Sequence, residues 1–303
     1  HKPILCFSYY SYNLRELISD FMQEQTPGIL YLVGTPIGNL EDMTFRAVRI
    51  LQAVDLIAAE DTRHTGKLLH HFQITTPQIS YHEHNQKGRI PELIEKLSEG
   101  KAVALVTDAG MPGISDPGYE LVKACVEANI SVVPIPGVTA AITALSAAGL
   151  PTDRFVFEGF LPAKGQARKQ RLEILKIETR SIILYESPHR LRQTLQDLAT
   201  VLGESHQIVL ARELTKLHEE FWRGRIEDAI AHYTTREPQG EFTLVVAGSQ
   251  LETPQMNDAA IKNELQHLLN QGLSRSEASR QLAALTSLPR RHIYQLALVI
   301  GNG

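Results

Sequence analysis

The sequence predicts a two-domain α/β protein with a small helical segment at its C-terminal end, and three observations support this. The chain has 303 residues, enough for about two hydrophobic cores. From residue 29 onward, short aliphatic and β-branched runs alternate with amphipathic stretches, which favours a mainly parallel sheet covered by helices. At residues 134–137 the sequence PIPG interrupts this alternation and indicates a domain boundary.

The first predicted domain covers residues 29–137. Its apolar runs predict strands at 29–34, 54–59, 102–107 and 131–135. The stretches between them predict helices that begin near Glu41, Thr62, Arg89 and Pro117.

The second predicted domain covers residues 138–250 and carries fewer helical stretches, so we expect a mixed sheet there. Its predicted strands are 155–158, 181–185, 207–212, 220–225 and 242–247. A polar connector at 248–258 leads into a helical tail within 251–303, where Ser274 precedes one helix and Pro289 opens the next. Residues 1–28 show no regular periodicity and are set aside as an extension of uncertain role.

Composition limits the class of protein. A net charge of -4 argues against nucleic-acid binding unless positive charge is concentrated locally. Two cysteines, Cys6 and Cys125, cannot build a disulfide framework or a cysteine-rich zinc site, which favours a reducing, cytoplasmic setting. No apolar run approaches the roughly 20 residues that span a bilayer, and no secretory signal is recognisable, so we expect no membrane association.

Two glycine-rich loops that follow predicted strands are the strongest ligand-site candidates. Residues 34–40 read GTPIGNL, with Asn39 placed to cap a helix, and residues 108–118 read DAGMPGISDPG. Open α/β sheets bind ligands at the carboxyl ends of their strands, where both loops would lie. Neither loop matches the dinucleotide fingerprint or the P-loop.

The second loop offers two kinds of ligand contact. Asp116 and Pro117 predict the cap and first residue of a helix, whose N-terminus would suit a carboxylate or phosphate. Asp108 and the exposed loop carbonyls would instead suit a cationic or hydroxyl-bearing ligand.

Seven segments together resemble one family. They are residues 34–40, 59–65 (AEDTRHT), 108–118, 136–140 (PGVTA), 158–162 (EGFLP), 185–190 (YESPHR) and 211–216 (ARELTK). As a set, in order along residues 29–300, they are similar to the ribosomal RNA ribose 2′-O-methyltransferases of the tetrapyrrole methylase superfamily. The family usually has proline at positions 34 and 138, and threonine and leucine at 111 and 113, where this chain has Gly34, Val138, Met111 and Gly113.

The resemblance implies a homodimeric enzyme that binds S-adenosylmethionine in a cleft between two α/β domains. It implies 2′-O-methylation of a cytidine ribose in small-subunit (16S) ribosomal RNA, with the RNA or the 30S subunit as substrate. The implied cofactor contacts are Ile37, Asp108, Ala109, Gly110, Met111, Ile114, Ser115, Thr139, Ala140, Tyr185, Ala211 and Phe242.

Methyl transfer to a ribose hydroxyl needs alignment of the reacting atoms and a general base, and no metal. The candidate bases are Glu60, Glu186 and Glu213, each at the end of a predicted strand. Histidines are crowded between His64 and His84, but they fall on different elements and no third ligand is fixed, so a metal site is not expected.

RNA binding requires a local basic surface. Residues 164–171 (KGQARKQR) carry four basic side chains and no acid, and the tail adds further arginines. The candidate RNA contacts are Arg63, Lys164, Arg168, Lys169, Arg171, Arg190, Arg212 and Lys216. Two alternatives stay open: a tetrapyrrole or other small-molecule methylase on the same fold, and a non-catalytic RNA-binding protein of ribosome assembly.

Overall fold

A computed structural model describes residues 28–249, 256–286 and 288–300. The predicted N-terminal extension up to residue 27, with Cys6, lies outside the described residues, and so do residues 250–255 of the connector. Among the described residues, no helix combines the length and apolar content needed to cross a bilayer.

The first half of the chain forms a five-stranded parallel sheet. Its strands are β1 (Ile29–Val33), β2 (Leu56–Ala59), β3 (Gln78–Ser80), β4 (Val103–Val106) and β5 (Ser131–Ile135). Its helices are α1 (Phe45–Ala53), α2 (Thr62–His71), α3 (Gln86–Ser98) and α4 (Tyr119–Glu127). The strand order is β3-β2-β4-β1-β5, with every pairing parallel.

Strand β4 shows why the inner strands of this sheet are apolar. Ala104 and Val106 pack into the core on one face, while Val103 and Leu105 pack into the core on the other. Alternate side chains of a strand point to opposite faces, so helices on both faces require four consecutive apolar residues. The predicted parallel sheet is therefore confirmed.

Four local features of this half differ from the sequence prediction. Strand β3 was not predicted, because its three residues QIS form a short, half-buried edge without an apolar run. The helix expected near Glu41 is only a 3-10 turn at Leu40–Asp42, and α1 begins at Phe45 after Thr44, whose hydroxyl accepts a hydrogen bond from the Ala47 N–H. The helix expected at Pro117 begins at Tyr119, and the helix expected near Arg89 already begins at Gln86.

The second half forms a mixed five-stranded sheet, as predicted. Its strands are β6 (Phe155–Phe160), β7 (Ser181–Glu186), β8 (Gln207–Arg212), β9 (Glu220–Arg225) and β10 (Phe242–Val246), in the order β6-β7-β10-β8-β9. Only β6 and β7 among them pair in parallel. Its helices are α5 (Ala140–Ala148), α6 (Gly165–Lys176), α7 (Pro188–Leu202) and α8 (Ile226–Thr235).

Helix α5 connects the two sheets. It follows β5 of the first sheet, but its Ala144 and Leu145 pack against Val209 and Val245 of the second sheet. Residues 136–139 therefore cross from one sheet to the other. The domain limits at 137 and 250 remain predictions.

The C-terminal segment consists of α9 (Asp258–Asn270), α10 (Arg275–Thr286) and α11 (Arg290–Val299). These helices share a small core that includes Ile261, Leu282 and Ile293. The two predicted tail helices are present, and the Ser274 hydroxyl and the Glu277 carboxylate cap the start of α10. The prediction omits α9, although apolar residues recur along it at helical spacing.

The loops after β1 and β5 meet at two glycines. A Cβ atom added to Gly34 would lie 2.7 Å from the Gly137 Cα and 2.9 Å from the Gly137 nitrogen. A Cβ atom on Gly137 would in turn lie 2.8 Å from the Gly34 Cα. Only glycine at both positions allows these two backbones to come so close.

We therefore expect Gly34→Ala to destabilise the protein by about 1–3 kcal/mol, because the new methyl group must displace backbone atoms. The matched control is Gly88→Ala within α3, where an added Cβ would meet no atom within 4 Å. This control should instead stabilise the protein, by up to about 1 kcal/mol, because alanine is the better helix former. Urea denaturation measures both changes, and equal effects of the two substitutions would contradict the steric explanation.

Candidate functional site

The turn after β1 is tied to the bend after β4 by backbone hydrogen bonds. The Thr35 N–H donates to the Gly110 carbonyl at 2.9 Å, and the Gly110 N–H donates to the Thr35 carbonyl at 3.0 Å. The Thr35 hydroxyl also donates to the Thr107 carbonyl at 3.0 Å. Gly110 adopts a φ of 85°, which glycine accommodates without strain. The two glycine-rich loops thus form one rigid platform at the carboxyl edge of the parallel sheet.

A cavity of about 350 Å³, called here the main cavity, lies between this platform and the second sheet. Most of the residues expected to contact the cofactor line it, namely Ile37, Ala109, Gly110, Met111, Ile114, Ser115, Thr139, Ala140, Tyr185 and Phe242. The structure thus brings together segments that are more than 200 residues apart in sequence.

Aromatic rings form the wall of the main cavity on the side of the second sheet. The Tyr185 ring lies 4.9 Å from the Phe157 ring and 5.7 Å from the Phe160 ring, both in edge-to-face contact. The Ala141 N–H donates a hydrogen bond to the Tyr185 hydroxyl at 3.2 Å, which anchors this wall to the start of α5. Burial raises the pKa of Tyr185, so its ring stays neutral. An electron-rich aromatic face of this kind attracts a cationic ligand.

Asp108 faces a second, adjoining cavity of about 530 Å³ that it shares with Thr35, His64, Lys67 and Lys216. Its Oδ1 atom is buried without a hydrogen-bond partner in the described part of the chain. This second cavity and the main cavity have Ile37, Ala109 and Glu241 in common. A buried carboxylate oxygen needs a donor, so an amino or hydroxyl group of a ligand that extends past Ala109 would satisfy it.

Ala211 lies apart from the other expected cofactor contacts. Its side chain is fully buried in the core cluster with Ala144 and Val245, and Ala211 does not line the main cavity. Strand β8 lies inside the sheet between β10 and β9, so the Ala211 side chain packs in the core beneath α5. Contact between Ala211 and the cofactor stays a prediction.

Two of the predicted general bases, Glu186 and Glu213, accept hydrogen bonds from neighbouring protein groups. Glu186 is 2% exposed, and its carboxylate accepts hydrogen bonds from the Thr194 hydroxyl at 2.6 Å and the Ser187 N–H at 2.8 Å. Glu213 accepts hydrogen bonds from the Glu241 N–H and the Lys216 ammonium, both at 2.9 Å. Burial raises the pKa of Glu213, but these two hydrogen bonds outweigh it and hold the pKa below its ordinary value. Glu186 lines the main cavity but is engaged by these donors, and Glu213 lies outside the lining of that cavity.

Glu60, the third candidate, stands beside a carboxylate that the sequence prediction assigned to helix capping. Burial raises the pKa of Glu60, although its Oε2 atom accepts a hydrogen bond from the Asp108 N–H at 3.2 Å. Burial, together with the charges of Glu60 and Asp108, raises the pKa of Asp116 to about 7. Gly118 occupies the cap position of α4, which leaves the Asp116 side chain available at the main cavity.

Arg168 is the clearest correction among the expected RNA contacts. Its side chain is buried, and its guanidinium donates to Asp197 at 2.7 Å, to Thr194 at 2.9 Å and to the Pro162 carbonyl at 3.0 Å. These bonds join α6 to α7, and burial keeps the guanidinium away from a phosphate in solvent. Because Asp197 is 29 positions away, the sequence around Arg168 does not indicate this pairing.

Other expected RNA contacts also hold protein partners. Arg190 donates to the Leu161 carbonyl, Arg212 pairs with Glu220 and Lys216 pairs with Glu213 and Glu241. Arg171 is half-exposed and pairs with Glu158, and the exposed Arg63 pairs with Asp61. Lys164 and Lys169 are exposed at the start of α6.

The histidines lie on separate elements. His64 lines the cavity of Asp108, while His82 and His84 follow β3 with their ring centroids 6.0 Å apart. Within the described ranges, no three potential ligands from histidine, cysteine, aspartate and glutamate are grouped to hold a metal ion.

Comparisons with known proteins identify relatives in both sequence and fold. Residues 29–230 match the family model of Tetrapyrrole (Corrin/Porphyrin) Methylases. The ribosomal RNA small subunit methyltransferase I of Synechocystis sp. is 63% identical over 272 residues, which cover 89% of this chain and 98% of that protein. The solved uroporphyrin-III-C-methyltransferase of Thermus thermophilus is 25% identical, with a TM-score of 0.54 over 73% of this chain and 94% of that chain. Another structure of a uroporphyrin-III C-methyltransferase from this organism, complexed with S-adenosylhomocysteine, shares the fold at 17% identity, with a TM-score of 0.53 over 72% of this chain and 97% of that chain.

We expect Arg168→Met to lower the free energy of unfolding by about 2–3 kcal/mol, because Asp197 loses a charged partner and Thr194 loses a donor. The control is Lys169→Met, the adjacent exposed position, which should leave stability unchanged. Thermal denaturation of the two variants measures the difference. An Arg168→Met variant as stable as the parent protein would show that these contacts contribute little.

Proposed function

The chain belongs to the tetrapyrrole methylase family, as an S-adenosylmethionine-dependent methyltransferase, and we propose that it methylates the 2′-hydroxyl of a cytidine ribose in small-subunit ribosomal RNA. The relative from Synechocystis, matched along nearly its whole length, supports the RNA substrate. We further propose that the protein acts in the cytoplasm as a homodimer.

The lining of the main cavity suits the charge and the hydrogen-bonding groups of S-adenosylmethionine. When bound, the cofactor supplies a methyl group that its positively charged sulfur makes electrophilic. The aromatic wall around Tyr185 suits that positive charge, and the unpartnered Oδ1 atom of Asp108 suits an amino or hydroxyl group of the cofactor. The backbone of residues 109–111 and the side chains of Thr139 and Phe242 would hold the remainder.

The observation that carries the mechanism is the position of Asp116. A ribose hydroxyl is a weak nucleophile, so a base must take its proton as the oxygen attacks. Asp116 lines the main cavity and has a pKa of about 7, close to the working pH at which a general base is most effective. We propose that an Asp116 carboxylate oxygen accepts the proton, and that Glu60 acts as a positioning residue.

Exposed positive charge supports the choice of RNA over a porphyrin-like substrate. Lys164 and Lys169 stand exposed at the start of α6, which follows the main-cavity residue Phe160 along the chain. The tail adds Arg280, Arg290 and Arg291, all exposed. RNA binding depends on such phosphate contacts, whereas a small molecule needs no extended basic surface.

The test of this function is methylation of small ribosomal subunits and of free 16S RNA with labelled S-adenosylmethionine, followed by mapping of the modified nucleotide. We expect the label on the 2′-oxygen of one cytidine. Label on a base, or transfer to a tetrapyrrole but not to RNA, would overturn the proposal. Binding of RNA without binding of S-adenosylmethionine would favour a non-catalytic role.

We expect Asp116→Asn to lower kcat about 10²–10⁴-fold, because the amide cannot accept the proton. For the parent protein, kcat/KM should rise with pH through about 7, since the base acts only when it is ionised. The variant should lack this rise. The control is Asp153→Asn, an exposed loop carboxylate outside the main cavity, which should keep both the rate and the pH profile. A variant that retained the pH profile would exclude Asp116 as the base.

Asp116→Asn should also change stability in a pH-dependent way. The pKa of this group is about 7 in the folded protein and about 3.9 in an unfolded chain. Between these values the folded state binds more protons, so Asp116 lowers stability progressively as the pH rises. The variant should therefore gain stability relative to the parent at pH 8 but much less at pH 5. Urea denaturation at both values tests this, and an equal difference at both would refute the raised pKa.

A further inference from the structure

A third cavity of about 530 Å³, called here the polar cavity, lies beside the main cavity on the side of the first sheet. The loop after β3 contributes His82 to its lining, the end of β2 contributes Glu60, and α4 contributes Tyr119. Ser115 and Asp116 line both the polar cavity and the main cavity. The two cavities are therefore separated by the residues that precede α4.

We propose that the polar cavity binds the acceptor nucleoside, with its base against Tyr119 and His82 and its ribose hydroxyl directed at Asp116. This inference rests on the proposed function, because it assigns the RNA side of the same reaction. The residues it identifies are specificity-determining contacts for the acceptor.

The first argument is the alignment that methyl transfer requires. The attacking oxygen must approach the methyl carbon from the side opposite the sulfur. If the donor occupies the main cavity, the acceptor must reach Asp116 from a different direction. The polar cavity is the space that borders Asp116 on its other side.

The second argument is the chemistry of Tyr119 and His82. Tyr119 is the first residue of α4 and is 65% exposed, so its ring is free to stack on another flat group. Proteins recognise unpaired nucleotides by stacking them on such rings and hydrogen bonding to their edges. The Nδ1 atom of His82 is shielded from solvent and has no hydrogen-bond partner within the described residues, so it is available to a base or a ribose.

The third argument is charge. The carboxylates of Glu60, Glu83, Asp116 and Glu120 surround the polar cavity and outnumber its two histidines. They would repel a phosphate but not the uncharged base and sugar. The RNA backbone must then stay outside while a single nucleoside turns inward, as in enzymes that extrude their target nucleotide.

The first experiment measures nucleoside binding directly by saturation-transfer NMR with free cytidine as the probe. The protein is saturated with S-adenosylhomocysteine, so that cytidine cannot occupy the donor cavity. Tyr119→Ala removes the ring, Tyr119→Phe keeps it, and Phe45→Ala removes a 97% exposed ring that lines none of the three cavities. We expect transfer to the cytidine protons in the parent, Tyr119→Phe and Phe45→Ala proteins, and at least about tenfold weaker binding in Tyr119→Ala.

The second experiment measures methylation of small subunits by the same variants at saturating S-adenosylmethionine. Tyr119→Ala should lower kcat/KM for the subunit at least about tenfold and leave the Kd for S-adenosylmethionine unchanged within about twofold. Tyr119→Phe and Phe45→Ala should behave like the parent protein.

The outcomes separate this inference from the proposed function. Absence of saturation transfer in the parent protein, or equal binding by Tyr119→Ala, would overturn the nucleoside site. A comparable loss of S-adenosylmethionine affinity in Tyr119→Ala would also overturn it, because the ring would then belong to the donor site. Cytidine binding that depends on Tyr119, without methylation of subunits by the parent, would uphold the site and refute the proposed RNA substrate.

Discussion

The site depends on the close approach of three loops at one edge of the parallel sheet. Gly34 and Gly137 bring the loops after β1 and β5 into backbone contact, and the paired hydrogen bonds between Thr35 and Gly110 fix the bend after β4 beside them. Because these contacts are between backbone atoms, they hold the platform together without relying on flexible side chains. Residues 109–111 and 139–140, which line the main cavity, follow directly from these contacts along the chain.

The electrostatic character of the site follows from the same packing. Burial removes water from Asp116 and places it near two other carboxylates, Glu60 and Asp108. A carboxylate in that environment stays protonated to a higher pH, whereas a nearby positive charge favours its ionised form. A donor molecule with a positive sulfur would therefore help create the ionised base beside which it reacts. Glu186 and Glu213, by contrast, are engaged by hydrogen-bond donors: Ser187 follows Glu186 directly, and Glu241 immediately precedes β10, which pairs with β8.

The sequence predicts the elements better than the individual side chains. The predicted strands 131–135, 207–212 and 220–225 coincide with β5, β8 and β9, because their apolar or alternating patterns are local properties. The errors concern contacts between distant residues. Arg168 belongs to a basic run, but it is buried and pairs with Asp197, which is 29 positions away. Asp116, followed by proline, looks like a helix cap in the sequence, although the helix begins only after Gly118. The resemblance implies a cofactor contact at Ala211 but does not indicate that its side chain packs in the core.

The contact around Gly34 also links the cavity to a residue outside it. An added Cβ at position 34 would lie 2.7 Å from the Sδ atom of Met111 as well as against Gly137. Met111 lines the main cavity, whereas Gly34 does not. A side chain introduced at position 34 would therefore displace a cavity-lining thioether along with the Gly137 backbone. The volume open to a ligand thus depends on the smallness of a residue that the ligand never touches.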